Sequence, residues 1–224
     1  MDNRLITVNQ LFNLLKTHYQ GSIEDWWPHE SKHEIVIGAF LVQNTTWHNV
    51  ELSLNQIRQK ASFSPKTIRQ LSQQELKKII HSSGFHENKS RNILEFFEWT
   101  KTFEDQYDKI KAHFGPSLRK ELLKRRGIGP ETADVLLMYV FNEPVFIADN
   151  YARRLFQLLK APVPLTYPAV KQFAEKNGEL TVAEWAAFHG WIIQFAQQHL
   201  RPNQKVSEHF LNGYQLIANH DNHN

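Results

Sequence analysis

Cysteine is missing from this chain of 224 residues, and its absence excludes several kinds of site. No disulfide, no zinc site built from thiolates and no cysteine nucleophile is available. An iron–sulfur cluster held by cysteine thiolates is excluded for the same reason. Disulfides are rare in the cytoplasm, so a chain without cysteine agrees with that compartment.

Long apolar stretches are also missing. No window of about twenty consecutive apolar residues occurs, which predicts no membrane span and no membrane partner. Residues 1–6 are polar and acidic, which predicts no signal peptide. We therefore expect a cytoplasmic protein.

A strong excess of one charge is absent as well. Lysine and arginine number 26 against 23 acidic residues, and the net charge of +3 is too small to indicate a nucleic-acid partner by itself. The positive charges are uneven, with basic clusters at 66–69, 77–78, 119–126 and 153–154. Such clusters are usually solvated helix faces, and only the third adjoins a motif that favours phosphate contact.

Apolar residues recur at helical spacing along most of the chain, and no segment shows the alternation typical of a strand. The pattern predicts an all-α fold. The predicted helices cover residues 5–19, 35–42, 50–57, 76–80, 93–97, 118–124, 132–141 and 182–200.

Residues 122–133 read Leu-Leu-Lys-Arg-Arg-Gly-Ile-Gly-Pro-Glu-Thr-Ala. Gly127 and Gly129 can adopt backbone angles closed to other residues, and Pro130 suits the first position of a helix. The N–H groups at the start of that helix form a site for a phosphate. The segment therefore predicts a helix-hairpin-helix over about 118–141 that holds a nucleic-acid backbone without reading bases.

For Gly-Ile-Gly alone, the simpler interpretation is a helix cap followed by a tight turn. Apolar helical patterns on both sides and the cations nearby favour the interpretation as a DNA-holding motif. The predicted DNA-contacting residues of the motif are Lys124, Arg126, Gly127, Ile128, Gly129 and Thr132.

Asp149 stands where the apolar run 145–148 meets a new helical pattern. An aspartate at such a position is most often an N-cap. Its place after the hairpin favours a second role, because a partly desolvated carboxylate close to DNA would stabilise positive charge on a sugar as the base leaves. The two roles are compatible.

Four segments in this order resemble the endonuclease III, or helix-hairpin-helix-GPD, superfamily of DNA glycosylases. They are residues 37–46, 84–93, the hairpin and 148–155. The resemblance implies two helical domains that flank a cleft. Residues 23–141 would form a six-helix barrel-like domain with the hairpin, and residues 1–22 with 142–224 would form the second domain.

The same resemblance implies roles for single residues. Asp149 is the catalytic carboxylate, Gln43 fills the space left by an extruded base, and one side chain of 84–88 enters the duplex. Bifunctional members carry a lysine that attacks the sugar where this chain has Glu131, so the resemblance implies a monofunctional enzyme with water as nucleophile. We predict no cofactor, with an alkali cation at the hairpin left open.

Within the superfamily, the chain looks closest to the bacterial 3-methyladenine glycosylases of type III, through residues 25–28, 42–47, 127–133 and 187–190. In that subgroup an aromatic pocket holds an alkylated purine. The residues that match its pocket are Trp26, Trp27 and Pro28 in one wall, Trp47 in the other, and His189, which would orient a base or a water. Trp191 stands where a lysine is expected, which leaves the pocket floor open.

An alkylated purine carries positive charge and has a weakened glycosidic bond, so its enzyme needs electron-rich ring faces more than a proton donor. Core packing is the alternative for each tryptophan; we assign Trp99 to the core and leave Trp185 and Trp191 open. His29 and His33 stand four residues apart, but no third ligand is evident, so we predict no metal site.

We predict a monomeric glycosylase that excises alkylated purines from double-stranded DNA, in the bacterial cytoplasm and on the nucleoid when it acts. The first alternative is a glycosylase of the same fold for an oxidised pyrimidine, a mispaired base or uracil. The second is a DNA-binding protein of this fold without catalysis, which would have no need of Asp149.

Overall fold

The structure, a computed structural model, describes residues 4–19, 31–201 and 208–219. Their regular structure is almost entirely helical, which confirms the all-α prediction. The chain divides into two compact units. One lies within Trp27–Glu143, and the other lies within Met1–Trp26 and Pro144–Asn224.

The helices are short to medium in length, and none in the described ranges is long and apolar enough to cross a membrane. Capping boxes start two of them, because Ser72 and Thr181 each exchange hydrogen bonds with a glutamate three residues later. In chain order the helices are α1 (Val8–Tyr19), α2 (Lys32–Leu41), α3 (Trp47–Lys60), α4 (Pro65–Gln70), α5 (Gln73–Ile79), α6 (His86–Lys101), α7 (Tyr107–Phe114), α8 (Leu118–Leu122), α9 (Pro130–Tyr139), α10 (Asn150–Leu158), α11 (Tyr167–Asn177) and α12 (Val182–His199).

Helices α2 and α9 form the centre of the unit within Trp27–Glu143, where they pack against each other. Residues 34–41 of α2 and 132–138 of α9 are buried without interruption. A helix that is apolar on nearly every face must be covered on every side. Because α9 follows the Gly-Ile-Gly turn directly, the core of this unit anchors that turn.

Aromatic side chains form the core of the other unit. The rings of Phe12 and Trp191 lie 5.5 Å apart, and those of Phe146 and Trp185 are also 5.5 Å apart. Phe188 contacts both pairs. Both tryptophans left open by the sequence are therefore buried core residues.

Two short strands, β1 (Arg4–Ile6) and β2 (Tyr214–Leu216), pair in parallel within this second unit. The sequence does not predict these two strands, and the predicted first helix begins at Val8 rather than at residue 5. A strand of three residues is too short to show an alternating pattern. Its existence depends on a partner some two hundred residues away in the chain.

Candidate functional site

The predicted pair of helices flanks the Gly-Ile-Gly turn, with α8 ending at Leu122 and α9 beginning at Pro130. Gly127 has φ +75°, and a Cβ there would lie 2.0 Å from the side-chain amide nitrogen of Asn92. Both the backbone angle and the space therefore require glycine. Gly129 is the N-cap of α9, and a Cβ there would meet nothing within 4 Å, so the space beside the start of this helix is open.

Gln43 lies in the turn between α2 and α3, and its side chain is docked on the hairpin. Its Nε2 donates to the carbonyl of Gly127 at 2.9 Å and to the hydroxyl of Thr132 at 3.0 Å. The structure therefore brings together three residues that the sequence placed in the DNA interface from two separate segments. The turn and the hairpin form one surface.

The cations around the hairpin divide into two kinds. Arg119 makes two hydrogen bonds to the fully buried Asp134, at 2.8 and 2.9 Å, and Arg125 stacks over the ring of Trp99. Lys124 and Arg126 keep side chains that are 59% and 57% exposed. The second pair is available to a phosphate, although Lys124 also contacts Glu121 and Arg126 lies 3.7 Å from Glu95.

A cavity of about 350 Å³ opens between the Gln43 turn, the start of α6 and the hairpin. Its lining includes Gln43, Phe85, Lys89, Asn92, Arg126 and Gly127. Phe85 is 65% exposed and has φ +47°, an unusual backbone angle for an aromatic residue. Among the residues 84–88 that the resemblance assigns to the duplex, Phe85 is thus the large apolar side chain held in solvent.

Asp149 is the N-cap of α10, and its Oδ1 accepts a hydrogen bond from the N–H of Ala152 at 2.8 Å. Its Oδ2 lies 3.7 Å from Nε2 of His189 on α12. Both residues are only 7% exposed. A separation of 3.7 Å is too long for a hydrogen bond, so the contact is electrostatic when the imidazole is protonated. The sequence had placed these two residues in separate segments.

Most residues of the predicted aromatic pocket belong to the part of the chain that the structure does not describe. Trp26, Trp27, Pro28 and His29 fall outside the described residues, so their assignments stay predictions. Trp47 begins α3 with an exposed ring, and its Nε1 donates to Glu51 at 2.9 Å.

Two further sequence predictions can be located in the structure. Trp99 lies in an aromatic cluster with Phe96, Phe103 and Phe114, where it is half-buried rather than fully in the core. His33 Nδ1 lies 2.7 Å from the hydroxyl of Tyr107, and within the described ranges no group of three His, Asp or Glu residues could hold a metal ion.

Lys89 and Asn92 are site residues that the sequence did not reveal. Both lie on α6 and are buried, and both line the cavity. A lysine and an asparagine on an amphipathic helix normally face solvent, so the sequence pattern does not indicate that these two side chains are buried. Their position inside the matched segment 84–93 was the available signal.

Residues 37–180 match the HhH-GPD superfamily of base excision DNA repair proteins, and the chain belongs to this family. The match includes the Gln43 turn, the cavity, the hairpin and Asp149. The predicted resemblance to this superfamily is confirmed.

Three known proteins illustrate the similarity. A Methanocaldococcus jannaschii protein, provisionally named DNA repair glycosylase MJ1434, is 28% identical over 206 residues, which are 89% of this chain and 91% of that protein. The structure of the H. pylori 3-methyladenine DNA glycosylase MagIII, bound to 1,N6-ethenoadenine, has a TM-score of 0.73 at 24% identity and covers 86% of this chain and 98% of its own. A trapped covalent complex of endonuclease III with DNA has a TM-score of 0.70 at 22% identity, with 89% and 90% covered.

Proposed function

We propose that this protein is a DNA glycosylase that removes alkylated purines such as 3-methyladenine from double-stranded DNA without cutting the strand. The observation that carries the proposal is the buried Asp149 carboxylate, which caps its helix through one oxygen and faces His189 with the other. The glycosylase class follows from the family. The lesion class rests on the type III resemblance and on the H. pylori neighbour, which is named for 3-methyladenine.

The proposed reaction is hydrolysis of the bond between the base and C1′ of the sugar. As that bond breaks, its electron pair moves onto the cationic purine and neutralises it, so the base leaves without a proton donor. The Asp149 carboxylate stabilises the positive charge that develops on the sugar. Water then adds to C1′, and its proton passes to Asp149 or to His189 beside it.

Strand cleavage by this family requires an amine that attacks the sugar. The position that the resemblance assigns to this amine holds Glu131, an exposed residue in the first turn of α9 that cannot form an imine. Lys89 has a pKa lowered to about 8 by burial, but its Nζ is held by two main-chain carbonyls. We therefore infer that water is the nucleophile.

DNA holding is assigned to the exposed hairpin surface. The backbone amides at the start of α9 would bind phosphates, and Lys124 and Arg126 would add charge. Phe85 and Gln43 would enter the duplex around the extruded base. In this proposal the protein acts as a monomer on chromosomal DNA in the cytoplasm and needs no cofactor, and Trp26, Trp27, Pro28 and Trp47 form the walls of the base pocket.

One observation favours a second candidate, a glycosylase of the same fold for another lesion. Trp191 occupies the position where the type III pattern has a lysine, and its ring is buried against Phe12 in the core. The floor of the pocket therefore differs from the type III pattern. An oxidised pyrimidine, a mispaired base or uracil is the alternative substrate.

The deciding experiment is incubation with methylated duplex DNA, with chromatographic identification of the released base and borohydride trapping in parallel. We expect free 3-methyladenine, intact strands and no covalent adduct. Release of a base only from oxidised, mispaired or uracil-containing duplexes would establish the second candidate. A trapped adduct would contradict the assignment of water as nucleophile.

A further inference from the structure

Lys89 is the one lysine that is buried among the described residues, with 3% of its surface exposed. Its Nζ donates to the carbonyl of Leu41 at 2.8 Å and to the carbonyl of Ser83 at 2.6 Å. Burial lowers the pKa of its ammonium group to about 8, and no carboxylate contributes to that change. Burying a cation without a counter-ion costs folding free energy, which suggests that Lys89 has a specific role at this position.

The two carbonyls belong to the roots of two loops. Leu41 is the last residue of α2, and the turn that carries Gln43 follows it at once. Ser83 ends the 3₁₀ turn His81–Ser83, and Phe85 follows after Gly84. Carbonyls at the ends of helical turns lack partners inside the helix, and the ammonium of Lys89 supplies a shared one.

The tips of the same two loops line the same cavity, because Gln43 and Phe85 both face it. One turn along α6 from Lys89, Asn92 stands against Gly127 of the hairpin. One face of α6 therefore contacts both loop roots and the hairpin. The contacts converge on residues that are proposed to touch DNA.

We propose that Lys89 is a positioning residue that sets the spacing between the Gln43 turn and the Phe85 turn, so that both enter the duplex together. The inference rests on the proposed function, which assigns these two side chains to the duplex. Lys89 itself touches neither the base nor the sugar. Its charge strengthens both hydrogen bonds, because bonds from an ionised donor are about twice as strong as neutral ones.

The test uses a duplex that contains a tetrahydrofuran abasic site opposite 2-aminopurine, whose fluorescence reports insertion into the stack. The variant is Lys89→Met, and the matched control is Lys101→Met, which removes an exposed cation from the other end of the same helix. We expect Lys89→Met to lose the fluorescence change and at least tenfold in duplex affinity. The control and the binding of single-stranded DNA should change less than twofold.

A pH series separates positioning from general stability. In the wild-type protein, the insertion signal should fall with a midpoint near the Lys89 pKa of about 8 as pH rises, because the charged form makes the stronger bonds. Lys89→Met should show no such midpoint. The other ionisable groups on the elements around Lys89 include Arg126 across the cavity, His81 in the 3₁₀ turn, and His86 and Glu87 on the same helix. Glu87 is already paired with Lys77.

Three outcomes distinguish a failure of the positioning role of Lys89 from a failure of the proposed function. If Lys89→Met shows the same fluorescence change and the same duplex affinity as the wild-type protein, the positioning role is overturned, whatever happens to base release. If that variant does not fold, a wild-type signal that stays constant from neutral to alkaline pH would overturn it instead. No fluorescence change with the wild-type protein would remove Gln43 and Phe85 from the duplex and contradict the proposed function as well.

Discussion

The residues proposed to hold DNA and those proposed to act on it belong to different compact units. In the unit within Trp27–Glu143, Lys124, Arg126 and Phe85 are each more than half exposed. In the other unit, Asp149 and His189 are buried within an aromatic and aliphatic core. Binding the DNA backbone requires hydrogen-bond donors and positive charges that are accessible to solvent. Stabilising the positive charge of a transition state requires a carboxylate that is removed from bulk water.

The contrast extends to what holds each set of residues in place. The hairpin depends on main-chain geometry, with Gly127 in a left-handed conformation against Asn92. Asp149 depends on a local side-chain bond to Ala152 at the start of α10. Substitutions in the hairpin should therefore act through the shape of the main chain, whereas substitutions at Asp149 should act through the loss of its charge.

The largest effect is expected from Asp149→Asn. Asparagine is as good an N-cap as aspartate, so the unfolding free energy should change by less than about 0.5 kcal/mol. The amide cannot stabilise a developing cation, and base release should fall by about a thousandfold. Single-turnover kinetics on methylated duplex DNA, with thermal unfolding as the stability measurement, would check both halves; retained turnover would remove Asp149 from the mechanism.

An intermediate effect is expected at the two glycines of the hairpin. Gly127→Ala places a Cβ against Asn92 at a positive φ, and should cost about 2 kcal/mol or more of stability as well as duplex affinity. Gly129→Ala meets open space, so it should cost less than about 1 kcal/mol of stability while its methyl group hinders the approach of a phosphate.

Urea unfolding and duplex titration of both variants measure this difference. Equal stability losses would show that the hairpin does not depend on the Gly127 conformation. Wild-type affinity in Gly129→Ala would place the phosphate elsewhere.

The smallest effect is expected from neutralising the exposed cations. The double variant Lys124→Gln, Arg126→Gln should weaken duplex binding and reduce the slope of log affinity against log salt by about 2, roughly one for each phosphate contact. Lys101→Gln with Lys109→Gln removes the same charge from exposed positions of the same unit and should leave the slope unchanged. Equal slopes in the two double variants would contradict a phosphate role for Lys124 and Arg126.

Local patterns in the sequence were sufficient to predict several features of the structure. The Gly-Ile-Gly-Pro segment predicts two helices around a tight turn, and Asp149 before a helical pattern predicts an N-cap; the structure contains both. Each depends on residues within a few positions of one another, where backbone angles and capping bonds decide the outcome. The family resemblance also depended on such segments.

The contacts between distant segments could not be obtained in this way. Nothing in the sequence pairs Lys89 with Leu41 and Ser83, joins Gln43 to Thr132, or brings His189 close to Asp149. A lysine or a histidine on a helix is compatible with solvent as well as with a buried partner. The partner is selected only when helices pack.

By itself, the sequence determined the helical class, the hairpin, the cap at Asp149 and the absence of cysteine chemistry, because these follow from residue type and local spacing. Only the tertiary structure decided that Phe85 is exposed, that Trp191 is core, and that Lys89 lies between two loop roots. Burial is a property of the packed chain, and it determines whether a polar or aromatic side chain becomes structural support or part of a site.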